Sequence, residues 1–313
     1  MTDSQRKEKL AGKTIKELGI LLPYLTVPFR RKSLKPLCRY LRTVIKDFFF
    51  LQFSVKFGWK KIEVVNVDHG LDRKIPFRPD KSDIYLDFIH FWIRPFTFMM
   101  RRFGIRRAIP WCAGFLSALD QAYREASRVY RFKMTTTTRP PPGKNRNLKI
   151  IHRLDPHFLC VPSLHIAVVA LTWTYFHEAF RAEGMDGAEL ARRSAELRQG
   201  ALEIAETVLY LKQHSVNCVP AALYMTRFLR PDLLTIQKAV DFIGDLFANA
   251  EDIRPDDRKT VVSHIGYMFE RLLLEGCNED DWAVPVRKWI ADYQREKEGA
   301  AQAQSHGGGE SGR

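Results

Sequence analysis

The chain has 313 residues, 45% hydrophobic and 27% charged, with 18 glycines and 16 prolines and a mean hydropathy of −0.27. That balance excludes a disordered, collagen-like or small disulfide-stapled protein and leaves room for a sizeable core. The formal charge of +14 is uneven, because residues 1–150 hold 32 Lys and Arg against 12 Asp and Glu while the remainder hold 18 against 24. The basic half calls for an anionic partner, either a lipid headgroup, nucleic acid or a phosphorylated substrate.

The N-terminus lacks the apolar run and small-residue cleavage site of a signal peptide. Ile15–Leu25 and Leu37–Phe53 read as basic amphipathic helices punctuated by Pro23, Pro28 and Pro36, and together they define a basic N-terminal region over residues 1–80. Lys61–Val67 alternates like a strand. Ile84–Arg102 and Trp111–Phe132 read as longer aromatic helices, followed by a breaker-rich loop at 135–147. Pro162–His177 and Ala188–Gln213 read as two further helices, which close a helical core over residues 81–228. Residues 229–297 show three more helical patterns, and 298–313 has the composition of a disordered tail. The predicted class is mostly α.

A bilayer span needs about 20 mostly apolar residues. Phe158–Phe176 comes nearest, yet Pro162, Ser163 and His165 interrupt it. A soluble or surface-bound helical protein fits this pattern better than a polytopic one, and the expected location is membrane-associated, on the cytoplasmic side. The five cysteines (Cys38, Cys112, Cys160, Cys218, Cys277) form no CxxC pair, so neither a disulfide framework nor a cysteine zinc site is expected. His152, Asp155 and His157 have no second cluster at ligand spacing, so no metal is expected. Arg101, Arg102, Arg106 and Arg107 come without any nucleic-acid-binding motif, so nucleic acid is not the expected partner.

Three segments hold chemistry when taken together. They are Lys133 to Arg139-Pro140, then Pro162-Ser163-Leu164-His165, then Lys212-Gln213-His214. Phosphoryl transfer needs fixed cations around the equatorial oxygens, which Lys133 and Arg139 offer. Ser163 and the backbone N–H of Leu164, at the start of a helix, offer an anion cradle. Two imidazoles divide nucleophile and general-acid duties near neutral pH.

These residues resemble the type 2 phosphatidic acid phosphatase superfamily, which includes vanadium haloperoxidases and reads Lys-x6-Arg-Pro, Pro-Ser-Gly-His and Ser-Arg-x5-His-x3-Asp. Pro-Ser-Leu-His and Lys-Gln-His look most like its membrane branch of inositol phosphorylceramide synthases, over about residues 84–226. The resemblance implies a helical bundle of that kind, extended by a C-terminal helical segment. It implies a metal- and cofactor-independent phosphatase or phosphotransferase acting on a phosphorylated lipid, with an anionic membrane surface as a partner. In that reading His214 attacks phosphorus to give a phosphohistidine, and His165 protonates the leaving alcohol. Lys133, Arg139, Ser163 and Leu164 would hold the phosphate.

The third motif departs from the pattern. Val208 stands at the second arginine, with Lys212 a stand-in for the lost charge, and Cys218 stands where the family carries its orienting aspartate. A helix through this segment would put residue 218 on the face of His214, with Cys218 or Asn217 as the candidate orienting group. By analogy with a protease triad, losing the carboxylate costs about 10⁴ in rate. The alternative is a degenerate relative that binds a phosphorylated lipid or ligand without turnover. Oligomeric state is not readable from the sequence.

Overall fold

The computed structural model describes residues 3–307, with side chains for 5–297; the last residues of the expected tail, 308–313, lie outside the described residues. The chain runs α1 (Asp3–Ala11), α2 (Leu21–Thr26), α3 (Arg31–Thr43) and, after a π-helical turn at Val44–Phe50, α4 (Leu51–Lys56). Strand β1 (Val64–Asn66) leads to α5 (Ser82–Leu86), α6 (Phe88–Phe103) and α7 (Ile105–Tyr130). Strand β2 (Met134–Thr136), α8 (Arg146–Leu154), α9 (Leu164–Ala182) and α10 (Gly187–Tyr210) follow. The chain ends with α11 (Cys218–Leu229), α12 (Ile236–Asp245), α13 (Pro255–Glu275) and α14 (Ala283–Gly307), the last running into the stretch expected to be disordered.

The class is therefore mostly α, as the periodicity implied. α9 is apolar on every side, so it is the central helix, with α6, α7, α10 and α11 packed around it. No helix among the described residues is long and apolar enough to cross a membrane. Gly104, at φ +87°, allows the sharp reversal between α6 and α7. α3 lies along α7, tied by Asp120, whose buried carboxylate accepts from Thr43 Oγ1 at 2.6 Å and pairs with Arg39 and Arg124 at 2.9 and 3.0 Å.

The basic N-terminal region is bound into the body of the protein. Arg193 of α10 is wholly buried and donates to the carbonyls of Leu10 and Lys13, which fixes the chain after α1. The arginine cluster at the α6–α7 junction is spent partly on ion pairs: Arg102 faces Glu189 at 3.4 Å, and Arg107 holds Glu183 at 2.5 Å. β1 and β2 pair in parallel, Val65 opposite Thr135, and Leu159 bridges on to Thr135. This small sheet brings the segments at 64–66, 134–136 and 159 to one end of the bundle.

Candidate active site

The threonine run links these segments. Thr135 Oγ1 accepts from Val161 N–H at 2.7 Å, and Thr137 Oγ1 meets both His157 Nε2 at 2.7 Å and the Lys212 carbonyl at 3.1 Å. The Thr138 N–H donates to Asp68 at 2.9 Å. Loops from three distant parts of the sequence therefore meet at one point, and His165 and His214 come together there. His214 Nε2 lies 3.3 Å from His165 Nδ1 and 3.2 Å from Ser163 Oγ.

Ser163 is the N-cap of α9, its hydroxyl 3.4 Å from the Ile166 N–H, so Pro162 precedes the cap and lies outside the first turn where it was expected. Leu164 opens the helix and its side chain lines the adjoining cavity.

His214 departs from the expected helix. α10 ends at Tyr210 and α11 begins at Cys218, so 211–217 is a tight connection in which Lys212 takes φ +56°. The sharp turn is closed by Gln213 and His214 N–H groups sharing the Val208 carbonyl, at 3.0 and 3.1 Å. Residues 214 and 218 therefore do not share a helical face. Cys218 Sγ accepts from the Ser215 N–H at 3.4 Å, while Asn217 serves the Val67 carbonyl and His264. Neither orients His214, whose Nδ1 is buried with no hydrogen-bond partner.

Two of the expected phosphate ligands are also placed elsewhere. Lys133 sits at the head of β2, where Met134 N–H bonds the Glu63 carbonyl; its ammonium holds Glu63 and Gln294 at 2.6 and 2.5 Å instead of the cradle. Lys212 donates to the carbonyls of Asp72 and Ile75, and so pins that loop. Val208, which the resemblance sets at a second arginine, lies wholly within the apolar core. Arg139 stays close: it donates to Gln213 Oε1 and to the Asp155 carbonyl, both at 3.3 Å, and its charge lies 4.0 Å from the Asp155 carboxylate.

Sequence reasoning missed Asp72, Gln213 and Thr137 as builders of the site, whereas His157 was read as flanking the pocket. Asp72 accepts from the Val216 N–H at 2.9 Å and the His69 N–H at 2.8 Å, and so anchors the connection that carries His214. Only a capping pattern, His69-x-x-Asp72, marked it in sequence. His157 takes φ +66° and is buried against Thr137, with Asp155 Oδ2 3.7 Å from its ring.

His214 stands between two cavities. One, about 340 Å³, is mostly apolar; Trp92, Tyr123 and Phe48 line its walls, and its inner end is closed by His157, Cys160, His165 and His214. The other, about 500 Å³, is polar and lined by Asp68, Asp72, Arg73, Thr138 and Lys212.

Burial sets the electrostatics. It pushes the His165 ring down to about 4, and it lowers His214 well below an ordinary histidine, with the neighbouring His165 adding to the effect. Asp155 is held at about 2 despite burial, by its hydrogen bonds with His157 and the charge of Arg139. Both site histidines are therefore neutral at pH 7. Among the described residues, no three His, Cys, Asp or Glu side chains are grouped to share a metal ion.

Comparison with protein-family models, curated proteins and solved structures found no match to this chain.

Proposed function

We propose that the protein is a phosphatase or phosphotransferase for a phosphorylated lipid, working at a membrane surface. In this reading its bundle, α6 to α11, is a divergent relative of the type 2 phosphatidic acid phosphatase core. The observation that carries the reading is the convergence of His214 Nε2, His165 Nδ1 and Ser163 Oγ within 3.3 Å at the inner end of the apolar cavity. The acyl portion would lie along the aromatic walls, with the phosphate at the histidine pair. Arg139, the Ser163 hydroxyl and the first N–H groups of α9 would share its charge.

His214 Nε2 would attack phosphorus as the ester P–O bond breaks. The alkoxide would take its bonding pair and a proton from His165, leaving a phosphohistidine. Water, supplied from the polar chamber, or another hydroxyl would then attack phosphorus, giving its proton to His165 and restoring the His214 lone pair. The rings are neutral in the empty site, and a bound phosphate raises the pKa of His165 enough to load that proton.

A second reading is favoured by the unpartnered His214 Nδ1. A buried N–H without an acceptor is costlier than a buried lone pair, so where the Cys160 carbonyl does not take the ring's proton, the resting ring carries it on Nε2 and directs it at His165 or Ser163. That tautomer is not the nucleophile. A protein of this kind would hold a phosphorylated lipid without turning it over.

Phosphate release from phosphatidic acid in detergent micelles, with EDTA present, tests both readings. Metal-independent release that is lost in His214→Ala and in His165→Ala supports the enzyme. Folded wild type that releases no more than the variants, yet binds short-chain phosphatidic acid through the same histidines, replaces it with the binding reading. Release unaffected by either substitution overturns both.

A further inference from the structure

Half of the large apolar side chains that stand exposed among the described residues come from residues 21–59. Phe29 is 77% exposed, Trp59 68% and Ile45 64%, well above what a monomer's surface needs. On α3 and the turn after it, exposed Leu34, Cys38, Leu41 and Ile45 keep helical spacing, so they form one stripe, while Ser33, Tyr40 and Thr43 are buried on the other side.

Rings continue the surface beyond α3. Phe50 and Trp59 stand 6.3 Å apart, Phe57 and Trp59 5.5 Å, and Lys60 lies over the Phe50 ring at 5.8 Å. The same segment, 30–61, carries ten Lys and Arg, all exposed, against the single acid Asp47, which is itself paired with Arg131.

This surface also meets the rim of the apolar cavity. Phe49, on the π-helical turn, both lines the cavity and stands exposed, as do Leu86, Ile89 and Leu154. We infer that this face is a peripheral docking surface for anionic bilayers, which seats α3, the π-helical turn and the Phe57–Trp59 corner at the headgroup boundary. The cavity then opens onto the membrane side.

The charge decides the occupant. Apolar rings beside ten exposed cations, of which only Arg39 is paired with an acid, Asp120, match an anionic headgroup layer over hydrocarbon, the pattern of an interfacial element. A second copy of this chain would bring the same positive charge against itself. Seating the rim at the lipid boundary gives an amphiphile a path from the bilayer to the histidine pair without its tail crossing water. The docking face uses none of the catalytic side chains and stands or falls separately from the enzyme reading.

The test is flotation of the full chain with vesicles of equimolar phosphatidylcholine and phosphatidylserine, beside phosphatidylcholine alone. A tryptophan readout accompanies it: Trp92, Trp173, Trp282 and Trp289 are buried and Trp111 is half-buried with its indole N–H on Glu183, so Trp59, the exposed one, dominates any change at the surface. Binding should require the anionic lipid and weaken as salt rises from about 0.05 to about 0.5 M. Tryptophan emission should shift to the blue and be quenched by chain-brominated lipid, and Trp59→Phe should remove both effects.

A cation near an anionic surface is worth about fivefold in affinity, so Lys56→Gln with Lys60→Gln should weaken binding about thirtyfold. Equal binding to neutral vesicles, anionic binding without quenching of Trp59, or a lipid-free dimer that already shields Trp59 would each overturn the inference. So would a stronger response to nucleic acid than to the anionic vesicles.

Discussion

The His165 ring carries a cost that the fold meets only in acid. Burial sets its pKa at about 4, against an ordinary value of 6.5. Because the folded value is the lower one, the unfolded chain binds the extra proton between the two, and stability falls as pH falls. The ring costs nothing above about pH 6.5, and its penalty levels off below about pH 4. At about pH 5 the unfolded ring is almost fully protonated and the folded ring about one-tenth, which corresponds to a loss of about 2 kcal/mol relative to pH 7.5.

The perturbation is His165→Gln, which keeps a polar side chain of similar length and cannot titrate. Urea unfolding followed by far-UV circular dichroism, at about pH 7.5 and about pH 5, gives the two stabilities for each protein. Wild type should lose about 2 kcal/mol more than the variant between these conditions. Taking the difference cancels His264, which burial also holds at about 4. Equal losses in the two proteins would refute the burial argument, and with it the neutrality of the site pair.

Two further outcomes follow from side-chain geometry. Cys218→Asp would install the residue type found in the resembled family, but the site is wholly buried and off the His214 face, so it should cost at least about 2 kcal/mol and bring no gain in turnover. Thermal unfolding beside the phosphate-release assay checks this, and a stable variant with faster release would place the carboxylate against His214 Nδ1 after all. Gly114→Ala should also destabilise, although alanine ordinarily favours a helix interior by about 1 kcal/mol. A Cβ at 114 would come 2.3 Å from the Tyr175 hydroxyl, which donates to the Trp111 carbonyl at 2.9 Å. The expected loss is about 1–3 kcal/mol in urea unfolding, partly recovered by adding Tyr175→Phe; an unchanged stability would show that α7 and α9 have room to move.

The helical class was legible because apolar residues recur at 3.6-residue spacing, a local signal that survives without any knowledge of packing. The strand at 64–66 was legible for the same reason, inside the alternating stretch Lys61–Val67. The pairing of His165 with His214 could be anticipated from motif order alone, although 49 residues separate them. What failed was any inference that assumed a helix continued. Ala188–Gln213 read as one helix, yet the chain turns at Lys212, so the relation drawn between His214 and Cys218 was geometric in form and wrong in fact.

Composition and periodicity by themselves determined that this chain is helical and that its first half is basic. Tertiary structure alone decided which charged side chains stand beside the histidine pair. Lys133 was drawn to Glu63 and Gln294 because β2 pairs beside residue 63, and Lys212 was spent on two carbonyls of a loop more than 130 residues earlier. A charged side chain answers to whichever opposite group the fold sets within a few ångströms, and Coulomb attraction at that range ignores sequence distance. The orphaned Nδ1 of His214, the cavity beside it and the apolar, basic face at its rim arise from the same cause. Each is a property of neighbours in space, and one-dimensional spacing does not contain them.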